Sequence, residues 1–208
     1  MAKTKYVVEL TNDCNLTCEV CPRNYIDMKL GYMSMPMFFN ILHDVPKGST
    51  VLPFWRGEST LHPRFCDMIE QLKDYDVVLA TNGIKVEPIL AVLDYLSVIN
   101  VSIHNQKSYE GYLELKNHVV DSKPSIIASR VEGEPEFVKD SRVYKRHSED
   151  GIWGKVVGSI GDRSGCPRLS ESVYSWDGQK GKCCYVWDLK TIDPCKDCDQ
   201  WMGNGRTL

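Results

Sequence analysis

The chain has 208 residues, a length that fits one domain or one domain with a small appendage. Hydrophobic residues make up 42% and charged residues 25%, which excludes global disorder, collagen-like repeats and coiled coil, and no apolar run approaches the ~18–20 residues that span a bilayer. The formal charge of −3, from 25 basic and 28 acidic side chains, argues against a nucleic-acid footprint built on bulk positive charge.

In chain order, KYVVELTN (5–12) predicts a first strand. It is reached without the apolar stretch or cleavage site of a signal peptide, so a cytoplasmic, reducing setting is expected. There, nine cysteines read as metal ligands before disulfides. Three follow the strand at once, as Cys14-x3-Cys18-x2-Cys21. Structural zinc takes four protein ligands, and no histidine lies nearby. A tight loop with three thiolates suits a cubane iron–sulfur cluster with one iron left open to an exogenous ligand.

Ser34 predicts a helix cap ahead of Met37, Phe38, Ile41 and Leu42, with Pro36 in the first turn. TVLPFW (50–55) is the second predicted strand and leads into WRGESTLHP (55–63). Leu61, Phe65, Ile69 and Leu72 recur at helical spacing, and DVVLATN (76–82) is a third strand ending at Thr81-Asn82-Gly83. A helical face of Ile89, Leu90, Leu93 and Leu96 precedes the fourth strand, SVINVSIHN (97–105), which carries Ser102 near its end. Tyr109, Leu113 and Leu115 mark a fourth helix, and PSIIASRV (124–131) and SRVYKR (141–146) close the series.

This alternation predicts an α/β fold of parallel βα units. Five or six units are too few to close an eight-unit barrel, so residues 1–146 are expected to form a partial (β/α)5–6 barrel with its chemistry at the C-terminal strand ends. Residues 147–208 lose the periodicity and are expected to be a linker and a small irregular domain. That region holds Cys166, Cys183, Cys184, Cys195 and Cys198; on spacing alone its pairs favour a four-cysteine zinc site.

Other residues read plainly. Cys66 beside an apolar helix face is a buried thiol; His62, His104 and His147 are polar loop residues. Lys139, Arg142, Lys145 and Arg146 form a solvated edge, and Trp153, Trp176, Trp187 and Trp201 supply the core of the C-terminal region.

The motif around Cys14, Cys18 and Cys21 resembles the CxxxCxΦC hallmark of the radical S-adenosylmethionine (SAM) superfamily, with Val20 where that family usually has an aromatic. Gly57, Glu58 and Ser59 look like its GGEP motif, with Arg56 in place of the first glycine, and Thr81-Asn82-Gly83 matches its TNG turn. The resemblance spans residues 5–131. It implies a [4Fe–4S] cluster on Cys14, Cys18 and Cys21 whose open iron binds SAM. It further implies SAM contacts from Gly57, Glu58, Ser59, Asn82, Ser102 and Arg130. The glycine would allow close approach to the cofactor, the Glu58 carboxylate would face the SAM ammonium, and Arg130 could pair with the SAM carboxylate.

Cys166, Gly178 and Cys183 resemble the start of the twitch and SPASM extensions of that superfamily, with Asp177-Gly178 as a hairpin turn. This implies one auxiliary [4Fe–4S] cluster on Cys166, Cys183, Cys195 and Cys198, in place of zinc, and leaves Cys184 spare. The implied activity is reductive cleavage of SAM to a 5′-deoxyadenosyl radical, hydrogen abstraction from a peptide or small molecule, and oxidation with the auxiliary cluster as electron acceptor. A flavodoxin or ferredoxin would donate the electron. A redox-neutral epimerase is the alternative, with Cys66 or Cys184 as hydrogen donor. A two-cluster electron carrier or a zinc-stabilised binding module is the non-enzymatic one.

Overall fold

The structure, a computed structural model, describes residues 4–18, 21, 23, 27–119, 124–131, 143–146 and 171–181. The strand β1 (Lys5–Val8) buries Val7 and Val8. The first helix, α1 (Met35–His43), starts where the Ser34 hydroxyl accepts the Met37 N–H, with Pro36 in the first turn, and it buries Phe38 and Ile41. After β2 (Thr50–Leu52), the predicted second helical face divides into a 3-10 turn, Ser59–Leu61, and α2 (Phe65–Glu70). The next face divides likewise, into α3 (Glu87–Leu90) and a 3-10 turn, Leu93–Tyr95, because Val92 between them leaves helical geometry with φ −126°. The strands β3 (Asp76–Thr81) and β4 (Val98–Ile103) are followed by α4 (Gln106–His118), capped by the Asn105 side chain. Then come β5 (Ser125–Val131), β6 (Val143–Arg146), β7 (Glu171–Tyr174) and β8 (Lys180–Gly181).

The sheet order is β6-β5-β4-β3-β2-β1-β7-β8, with β8 antiparallel to β7 and all other pairings parallel. The expected partial barrel of parallel strands is borne out, open among the described residues with β6 and β8 at its edges. The sequence did not foretell β7. It comes from the C-terminal region, yet it pairs in parallel with β1 from Lys5↔Glu171 to Val8↔Tyr174. Its pairing covers backbone N–H and C=O groups of β1 that would otherwise lie at a sheet edge.

Alternation along the central strands sets the core. Val77, Leu79, Ile99, Val101 and Ile103 are fully buried and cluster with Met68, Ile69, Leu72, Ile89 and Leu115 from the helices and loops. The helix α4 also packs on the turn after β3, where Gly83 has φ +71°; a Cβ on Gly111 would lie 1.8 Å from the Gly83 carbonyl oxygen. Gly111→Ala must push α4 off that turn, a strain of about 1–3 kcal/mol. The expected outcome is a lower urea midpoint with an unchanged slope, measured by circular dichroism.

Candidate active site

The loop after β1 is held by its own polar side chains. Thr11 donates to the Gly31 carbonyl (2.7 Å), and Asn12 both donates to the Lys29 carbonyl (2.9 Å) and accepts from Gly31 N–H (2.8 Å). Asp13 accepts from Cys14 N–H (2.8 Å) and from the Tyr32 hydroxyl (2.6 Å). The Arg23 guanidinium donates to the carbonyls of Asn12 and Leu16, both at 3.1 Å, and Cys21 N–H donates to Cys18 carbonyl (3.0 Å). The three cysteines are half-buried in this frame. Burial pushes the Cys14 and Cys21 thiols up.

The loop after β2 lies flat on this frame. A Cβ on Gly57 would fall 2.4 Å from the Asp13 carbonyl oxygen and 2.5 Å from that of Thr11, and Glu58 N–H donates to the same Asp13 oxygen at 2.7 Å. The close approach that Gly57 permits is therefore to the cysteine loop itself. Glu58 is also occupied. One oxygen accepts from the Thr60 hydroxyl (2.8 Å), Thr60 N–H (3.3 Å) and the Thr81 hydroxyl (2.9 Å), and the other accepts from Asn82 N–H (2.7 Å). Burial pushes its carboxyl above the ordinary range, against these hydrogen bonds, which favour the charged form. Glu58 thus ties β2 to the end of β3. Ser59 is fully buried, and its hydroxyl donates to the Pro53 carbonyl.

A buried ion pair that no sequence motif marks lies beside this site. Arg56 donates to Glu9 through Nε (2.8 Å), Nη2 (2.6 Å) and its backbone N–H (3.1 Å), with the two side chains 8% and 0% exposed. Arg56 also stacks on the Trp55 ring at 4.2 Å. Glu9 reaches the C-terminal hairpin as well: its carboxylate accepts from Trp176 N–H (3.1 Å), and its N–H donates to the Tyr174 carbonyl (2.9 Å). The hairpin turns at Gly178 (φ +82°), beside Asp177 as expected, and the Trp176 ring lies against Gly31, where a Cβ would sit 2.4 Å from it. The available signal was a charged residue inside an apolar strand run, matched by an arginine where the resembling motif has glycine.

Other predicted residues fall in several places. The Asn82 amide donates to Asn15 (2.7 Å) and toward Cys14 Sγ (3.9 Å), and His104 Nδ1 lies 3.6 Å from Cys18 Sγ. Ser102 is half-buried on β4 in register with Ser129, and Arg130 lies near the end of β5 in register with Ile103, its side chain outside the described part. Cys66 is not brought to the strand ends. It sits on α2 with its thiol donating to the Pro88 carbonyl of α3 (3.6 Å). Cys166, Cys183, Cys184, Cys195 and Cys198 lie outside the described residues.

The donor set suits a cubane. Three thiols on one short loop are the donors a cubane takes, each thiolate on a different iron.

Two outcomes follow from this packing. Arg56→Leu leaves the Glu9 carboxylate buried without its partner, which costs about 3–5 kcal/mol; adding Glu9→Gln recovers part of it in urea unfolding. His62 donates from Nε2 to the Met33 carbonyl (2.9 Å) and accepts Arg64 N–H at Nδ1 (3.0 Å), and burial lowers its pKa. The unfolded chain therefore takes up a proton that the folded chain resists. Stability is lost as pH falls through the ordinary value of about 6.5, and the thermal midpoint drops less in His62→Gln than in the parent over that window.

No family model matches the sequence. A tungsten-containing aldehyde ferredoxin oxidoreductase cofactor-modifying protein of Pyrococcus furiosus is 35% identical over 85 residues, a stretch that takes in 38% of this chain and only 24% of that protein's length. The structure of BtrN in complex with AdoMet and 2-DOIA superposes with a TM-score of 0.63 at 15% identity, over 89% of this chain and 76% of that one. Streptococcus suis SuiB bound to precursor peptide SuiA gives a TM-score of 0.51 at 14% identity, over 94% and 63% of the two chains. BtrN and SuiB are radical SAM enzymes. At these identities the likeness is one of fold, and with the order of the cysteine, Glu58 and Asn82 motifs it bears out the resemblance: this chain has the radical SAM fold.

Proposed function

We propose that the protein is a radical SAM enzyme. The observation that carries this reading is the gathering, at the C-terminal ends of β1, β2 and β3, of the cysteine loop, the Gly57–Glu58 loop and the Asn82 turn. Cys14, Cys18 and Cys21 would hold a [4Fe–4S] cluster, Arg23 keeps their loop closed, and Glu58 fixes Asn82 against it. When bound, the cluster and SAM supply one-electron cleavage of SAM and a 5′-deoxyadenosyl radical that takes hydrogen from the substrate.

The direct SAM contacts we assign are Ser102, Arg130 and the backbone of Gly57, Glu58 and Asn82; the Asn82 amide group is taken up by Asn15, Ile84 and Cys14. The hydrogen bonds already made by the Glu58 carboxylate and the Ser59 hydroxyl make these two side chains positioning groups. Cys166, Cys183, Cys195 and Cys198 would hold the auxiliary cluster as electron acceptor, making oxidation of a peptide or small molecule the outcome, with a flavodoxin or ferredoxin as donor. Support comes from the fold shared with BtrN, whose structure holds AdoMet and 2-DOIA, and with SuiB, whose structure holds a precursor peptide. Of the two hydrogen donors the epimerase alternative would draw on, Cys66 lies between α2 and α3, away from the strand ends, and Cys184 lies outside the described residues.

Anaerobically reconstituted and reduced protein is expected to release methionine and 5′-deoxyadenosine from SAM, quantified by chromatography. Replacing Cys14, Cys18 and Cys21 together by Ala should abolish both products. Iron bound without either product would point instead to an electron carrier.

A further inference from the structure

Two side chains from neighbouring strand ends are directed at cysteine sulfurs. Asn82 follows β3, and its orientation is fixed by its own bonds: Oδ1 accepts Ile84 N–H (3.0 Å), and one Nδ2 hydrogen goes to Asn15 Oδ1 (2.7 Å). The second Nδ2 hydrogen is left for Cys14 Sγ at 3.9 Å. His104 follows β4, with Nδ1 at 3.6 Å from Cys18 Sγ. A metal-bound thiolate carries no proton, so this contact is a hydrogen bond in the His104 tautomer that carries its proton on Nδ1. In that tautomer both contacts are N–H donors aimed at ligand sulfurs, one at each of the loop's first two cysteines.

We infer that Asn82 and His104 are positioning residues that raise the reduction potential of the N-terminal cluster by hydrogen bonding to the sulfurs of Cys14 and Cys18. This rests on the assignment of Cys14, Cys18 and Cys21 as cluster ligands. Reduction adds one electron, whose negative charge spreads onto the ligand sulfurs. Donors directed at those sulfurs stabilise the reduced form more than the oxidised one, so hydrogen bonding to sulfur is one of the protein's means of setting the potential. The site also explains why Asn82 is held so firmly, by Glu58 through its backbone and by Asn15 and Ile84 through its side chain.

The test is a redox titration of reconstituted protein followed by electron paramagnetic resonance. The N-terminal couple is identified as the one missing from the Cys14, Cys18 and Cys21 triple Ala variant. His104→Leu removes one donor. Asn82→Asp keeps the acceptor to Ile84 but cannot donate to Cys14 when ionised. Each is expected to keep the parent's iron content while its equilibrium constant for reduction falls about tenfold, which is a midpoint lower by about 59 mV for a one-electron couple. His104→Gln, which retains an N–H donor, should lie between parent and His104→Leu. Should His104→Leu lose its iron, the Gln and Asp variants decide. Full iron content with unchanged midpoints overturns the inference. A parent protein whose iron matches that of the triple variant overturns the ligand assignment, and the inference with it.

Discussion

The buried pairing of Glu9 with Arg56 organises everything at the active end of the sheet. Glu9 stands one residue past β1, Arg56 a few residues past β2, and Trp176 just past β7, so one carboxylate links three strand ends. With both side chains out of water, the charges are tolerable only because they meet in a fork with several hydrogen bonds. That geometric demand brings the cysteine loop and the loop after β2 into the register that Gly57 then allows, backbone against backbone.

From that anchor the site is built as a chain of hydrogen bonds running across the strands. Asp13 offers its carbonyl to Glu58 N–H, Glu58 offers its carboxylate to Thr81 and Asn82, and Asn82 turns back to Asn15 and Cys14 in the first loop. The circuit is closed and largely buried, which makes it rigid: any member that leaves strands a buried polar partner. In the proposed reading this loop holds three thiolates in one arrangement and draws on such support, because burial raises the Cys14 and Cys21 thiols and so disfavours their charged forms.

The C-terminal hairpin belongs to this arrangement too. Trp176 fills the space above Gly31, Gly178 lies against Met37 of α1, and β7 pairs along β1. The hairpin leads directly toward Cys183 and Cys184 in sequence, so the second cysteine group is tethered through a strand of the main sheet. The sequence names no strand partner for this hairpin, because glycine-rich texture and cysteine spacing report local conformation and metal chemistry. Neither contains information about which edge of a sheet a short strand will cover.

Much was legible from residues alone. Period-two apolar runs placed all six N-terminal strands, Ser34 marked the start of α1, and the cysteine spacing carried the resemblance with which the fold agrees, because these signals are local. Helix lengths were less legible, since Val92 leaves helical geometry within an apolar periodicity that continues past it. Only the tertiary structure revealed that Glu58 and Ser59 spend their hydrogen bonds on neighbouring loops, that Glu9 pairs with an arginine 47 residues away, and that Asn82 and His104 meet the cysteine sulfurs. Such pairings are made across strands that are distant in sequence, and the free energy that selects them comes from burial, which no residue possesses until the sheet has formed.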